Sequence, residues 1–141
     1  MALFNPVPAV RGKEKTMKVD VSIGELVDKV TILAIKSERI SDPEKLKNIR
    51  REFEILKSEM HSAGIDVQSP EYGRLYEINT RLWEIEDAIR DKEAAGSFDR
   101  DFVELARSVY FNNDERAAVK REINLKYGSD LVEEKSYRSY K

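Results

Sequence analysis

Two segments of the chain share one pattern of apolar residues, and that pattern limits the folds open to it more than any other feature. In the first segment the apolar positions are Leu46, Ile49, Phe53, Leu56 and Met60; in the second they are Leu75, Ile78, Leu82, Ile85 and Ile89. Steps of three and four alternate in both, the period of a helix laid along a partner helix and not of a strand. Each seam lies between start and stop signals. Asp42 and Pro43 open the first and Gly64 ends it; Ser69 and Pro70 open the second and Gly96 ends it. Proline at the first helical position loses only an N–H that has no partner inside the helix, and glycine just past the end accepts a left-handed backbone. Two matched seams joined by a short loop predict an antiparallel hairpin of helices roughly 30–40 Å long. Its register sets Leu46 against Ile89, Phe53 against Leu82 and Met60 against Leu75.

Seams of so few heptads do not stand alone, so other segments must complete the core. Ser22-Ile23-Gly24-Glu25 has the spacing of a capping box and predicts a helix to about Ile40. Ile23, Leu26, Val27, Val30, Leu33 and Ala34 make one broad apolar face, and Ile32, Ile35 and Ile40 lie off it. A helix apolar on more than one side and rich in β-branched residues is stabilised by its neighbours, which predicts a buried, central position. The last third predicts two shorter helices. Phe98, Phe102, Leu105, Ala106 and Val109 mark one from about Asp99 to Tyr110; Asn112 or Asn113 caps another that runs to Tyr127 and stops at Gly128. Lys18–Ser22 alternates and predicts a short extended piece, and residues 1–16 predict a flexible extension before a single domain over 17–141. The fold class expected is therefore all-α.

Composition removes several chemistries. There is no cysteine, hence no disulfide, thiolate metal site or cysteine nucleophile, and a single histidine, His61, gives no His-His metal motif. Charged residues make up 37% of the chain at a net charge of −2. Balanced charge of that density describes exposed helices laced with ion pairs, not a nucleic-acid grip. No apolar run approaches the ~20 residues of a membrane span, and the N-terminus has no secretory core, so a cytoplasmic protein is expected.

Three constellations are candidates for a site. Tyr72, Tyr76, Asn79, Trp83, Glu86 and Arg90 share one face of the Ser69–Gly96 helix. They suit a pocket for a polar ligand, or packing against the first helix with Lys29 or Lys36 pairing Glu86. Asn113 and Asp114, beside Asn112 and Glu115, have helix-start chemistry, and Arg116, Lys120 and Asn124 follow at four-residue steps. An anion suits that face, although Asp114 and Glu115 at its mouth oppose one. Glu25/Asp28 and Glu84/Asp87 are carboxylate pairs three apart that suit Mg²⁺ in principle, but such short patterns are common among 27 acidic residues. No metal site and no cofactor are assigned. The terminal stretch after Gly128 offers Leu131 and Val132 to the core, and Tyr137 and Tyr140 to a partner.

Four stretches, beginning VSIGELVDKVTILAIKSERI, LYEINTRLWEIEDAIRDKE, FVELARSVYFNNDERAAVKREIN and GSDLVEEKSY, together resemble a family of short proteins of bacteria and marine phages catalogued as a domain of unknown function. The resemblance runs in order over residues 18–137. It implies that the terminal stretch through Tyr137 belongs to the fold. It also implies a setting near glycosyltransferase and surface-polysaccharide genes, and it supplies no activity. The expectation is a non-catalytic binding or assembly module, homodimeric or with a protein partner. The alternative is a small Mg²⁺-dependent enzyme acting on a nucleotide or sugar nucleotide.

Overall fold

The computed structural model describes residues 15–141. The extension expected over residues 1–16 thus lies almost wholly outside the described residues. Four helices make up the described chain: α1 (Ile23–Arg39), α2 (Pro43–Ser62), α3 (Pro70–Ala94) and α4 (Arg100–Lys126). Lys18–Ser22 forms no strand.

Local chemistry sets most of the boundaries. Ser22 Oγ accepts the Glu25 N–H at 3.1 Å, and Asp42 accepts from the Glu44 and Lys45 amides with Pro43 beside it. Asp99 accepts the Phe102 N–H at 3.0 Å. That bond, reinforced by Lys92, holds its carboxyl down at about 2. Gly64 and Gly96 end α2 and α3 at φ of 84° and 62°, a conformation costly for any residue with a Cβ.

Packing then overrides the pairwise hairpin. No α-carbon of α2 comes within 8 Å of one of α3; α1 contacts α2, α3 and α4, and α3 contacts α4. Met60 and Leu75 of the expected register share one core cluster, with Phe53 and Leu82 packed against it, but α1 mediates the meeting of the two helices. Val27 and Val30 of α1 join Met60 of α2, Leu75 and Ile78 of α3, and Val119 and Ile123 of α4 in one core cluster. Eight of the 17 residues of α1 are buried, against Met60 alone in α2. The magnitudes explain why so poor a helix former persists there. Its β-branched residues cost a few tenths of a kcal/mol each. Each fully buried Val, Leu or Ile contributes about 1.5–3 kcal/mol.

The second correction concerns the last third. The two short helices expected there are a single helix of 27 residues. No proline or glycine stands between Phe98 and Tyr127. Asn112, read as a cap, instead donates from Nδ2 to the Ser108 carbonyl at 2.8 Å and accepts from Arg81 Nε at 3.0 Å. Its capping chemistry is spent inside the helix and across to α3.

Candidate functional site

The site grows from the crossing of α1 and α4. The first free amides of α1 are taken up by the far end of the chain. Ile23 N–H donates to Ser129 Oγ at 3.1 Å and Gly24 N–H to Asn124 Oδ1 at 2.7 Å. Only glycine fits at position 24. A Cβ there would press into the Lys120 carbonyl oxygen and lie 3.0 Å from Asn124 Oδ1. That close approach brings the acidic residues of α1 against the basic residues of α4.

Asp28, 1% exposed, receives Arg116 in a two-pronged pair, Nε to Oδ1 at 2.8 Å and Nη2 to Oδ2 at 2.5 Å. Asn79 Nδ2 donates to Asp28 Oδ1 and to Thr31 Oγ1, each at 2.9 Å. Hydrogen bonding to Asp28 raises the Arg116 pKa, so the guanidinium stays charged. One turn on, Lys120 Nζ donates to Glu25 at 2.6 Å and to Glu133 at 3.2 Å. Among the described residues every buried side-chain nitrogen and oxygen has a partner. The network is closed on the α1 side, and its basic groups are fixed in place.

The segment after Gly128 has no helix, yet it runs back along α4. Glu133 bridges Lys120 and Lys135, the latter at 2.9 Å, and the two lysines lower its carboxyl pKa, Lys135 more than Lys120. Glu134 meets Arg121 at 3.0 Å. The Tyr140 hydroxyl donates to Asp114 at 2.5 Å, and its ring lies 5.2 Å from Tyr110 and 5.5 Å from Phe111 between centroids. Between α4 and this segment lies a cleft of about 640 Å³. Val109, Ala117 and the rings of Tyr110, Tyr137 and Tyr140 give it carbon walls; Arg116, Lys120, Lys135 and Arg138 give it positive charge; Asn113 and Asp114 stand at its edge. Arg138 has no ion pair among the described residues.

Eight of the nine residues singled out in the sequence are divided between two places. Asn113, Asp114, Arg116 and Lys120 line the α4 cleft. Asn79, Trp83, Glu86 and Arg90 line a shallower hollow of about 370 Å³, floored by Ile32 and Ile35 of α1. Tyr76 joins neither: its hydroxyl donates to Glu38 at 2.6 Å, which raises its pKa. Tyr72 is buried in the core, and burial, with Tyr76 next to it, pushes its hydroxyl up to about 12. Glu86 pairs with Arg90 at 3.4 Å, while Lys29 pairs with Glu52. Sequence reasoning left Lys135 and Arg138 out of the site; their signal was the basic and aromatic alternation of KSYRSYK.

Three of the four carboxylates of the two pairs face cations of the chain itself. Glu25 and Asp28 hold Lys120 and Arg116, and Glu84 holds Arg39 at 3.1 Å. Among the described residues no three acidic or imidazole groups converge as a metal site would require, and no helix is long and apolar enough to cross a membrane. No curated protein and no solved structure matches the chain. A family model does match, over residues 17–140, and the chain belongs to that family, described as a family of unknown function (DUF6165).

Proposed function

We propose that the chain is a non-catalytic binding module and that its ligand enters the cleft between α4 and the terminal segment. One observation carries this reading. The cleft combines carbon walls with basic groups, two of which, Arg116 and Lys120, are held in position by acidic partners on α1. Groups fixed before binding lose little freedom when a ligand arrives, so more of each contact is retained as affinity. The alternative of a Mg²⁺-dependent enzyme draws little support from the geometry, because three of its four carboxylates, Glu25, Asp28 and Glu84, are engaged with lysine and arginine.

Backbone amide shifts on addition of pooled small metabolites test the proposal. Shifts should concentrate at Asn113–Lys120 and Lys135–Tyr140. Shifts confined to the Trp83 hollow, or none at either place, refute it. The assembly side of the reading rests on exposed aromatics: Phe98, Tyr110 and Phe111 are 61%, 41% and 41% exposed. Sedimentation equilibrium at micromolar concentration should show a dimer, and a strict monomer counts against that part.

A further inference from the structure

Two of the cations that line the cleft already hold an anion of the chain itself. Glu133, on the terminal segment, places one carboxylate between Lys120 and Lys135. The groups that grip it are part of the cleft wall, and Arg138, also in that wall, makes no ion pair among the described residues. Three tyrosines surround the same space. Tyr110 and Tyr140 pack on each other, and Tyr137 is 76% exposed. Flat rings beside cations suit a ligand with a planar ring at one end and a charged oxyanion at the other.

Resting on the proposed binding role of this cleft, we infer that it takes a small phosphate-bearing molecule with an aromatic ring, whose phosphate replaces the Glu133 carboxylate between Lys120 and Lys135 and also engages Arg138. The segment that carries Glu133 can yield. It has no secondary structure, and around Glu133 its ties to α4 are pairs of Lys120 with Glu133 and Arg121 with Glu134; further on, Tyr140 anchors it through Asp114 and by packing on Tyr110 and Phe111. The Arg121–Glu134 and Asp114–Tyr140 ties are exposed and hold weakly, and Lys120, though buried, meets Glu133 only at 3.2 Å while it holds Glu25 at 2.6 Å; a phosphate offers three acceptor oxygens to the same cations. Glu133 thus acts as an internal competitor, which gives an unusual sign to its removal: loss of a cleft-side charge should strengthen binding.

The test is titration calorimetry at low salt with inorganic phosphate, adenosine and AMP as probes, paired with amide shifts. AMP should bind more tightly than phosphate, and adenosine least. Glu133→Gln should raise AMP affinity about five- to tenfold. Glu134→Gln loosens the same segment without freeing Lys120 or Lys135, and should give no rise. Arg138→Ala should weaken AMP about tenfold or more. AMP binding unchanged or weakened by Glu133→Gln overturns the inference. Adenosine bound as tightly as AMP, with cleft amides responding, overturns the phosphate assignment and leaves a binding cleft. No response of the cleft amides to any probe overturns this inference, and the pooled-metabolite shifts then decide the broader reading separately.

Discussion

Replacing Gly24 with alanine isolates the close approach of α1 and α4. A Cβ at position 24 would fall within van der Waals contact of the Lys120 carbonyl oxygen and 3.0 Å from both Asn124 Oδ1 and the Lys120 carbonyl carbon. The first two groups are backbone and a buried amide, so neither can swing away. The helices must part by a few tenths of an ångström or more, which strains packing by about 1–3 kcal/mol. The Gly24 N–H bond to Asn124, 2.7 Å long, stretches with them. Its loss adds about 1 kcal/mol. Against this, alanine favours a helix by up to about 1 kcal/mol, and less in a first turn. The net is a loss of about 1–3 kcal/mol. In a chain of this size that lowers Tm by roughly 3–5 °C per kcal/mol. The control is Gly73→Ala in the first turn of α3, where a Cβ meets nothing within 4 Å. That change should raise Tm slightly. Differential scanning calorimetry of both variants decides. Wild-type or higher stability of Gly24→Ala would refute the claim that this contact positions α4.

Further outcomes follow from the same contacts. Asp28→Ala strands Arg116 and Asn79, and denaturant melts should show a loss of about 3 kcal/mol, moderated because Arg116 is 28% exposed. Adding Arg116→Ala should cost less than the sum of the single changes. Absorbance titration near 295 nm should find Tyr72 ionising at about 12, with Tyr76 and Tyr140 also raised by their bonds to Glu38 and Asp114, and Tyr72→Phe should remove the step near 12 while leaving theirs. Asp99, at about 2, and Glu71, lowered chiefly by its bond to Lys126, bind protons less readily in the folded than in the unfolded chain. Their stabilisation is complete above about pH 4.5, the ordinary glutamate value, and is lost as pH falls toward 2. Tm measured from pH 7 to pH 2.5 should therefore fall below pH 4.5, and Asp99→Asn should flatten part of that fall.

Helix boundaries were legible wherever local chemistry decides them. Asp42-Pro43, Ser22 and the glycines after α2 and α3 act through bonds within a few residues, and the structure uses them as the pattern implied. Partner choice was not legible. The seams of α2 and α3 match in spacing, but α1 has two apolar sides and takes a place against both. The Asn112–Arg116 stretch misled for a related reason. Asparagine and aspartate favour caps when only neighbours in sequence are considered, yet here Asn112 serves Arg81 and Asp114 serves Tyr140. Half of the α4 cleft could be named from helical spacing. The other half lies on a segment without periodicity, so spacing arguments had nothing to grip.

The bonds that close the start of α1 come from residues 100 and 106 positions further along the chain. This has a consequence for how the molecule is made. While a ribosome is still adding α4, the helix at the centre of the fold has its local Ser22 cap but lacks the partners of its Ile23 and Gly24 amides and the Arg116 that neutralises Asp28. Local helices can flicker early, but closing loops of this length costs entropy that only the last contacts return. Of the four described helices the central one is therefore the first to be synthesised and among the last to be secured. A nascent chain halted before Ser129 should remain open to proteases and chaperones however many of its helices have already been translated.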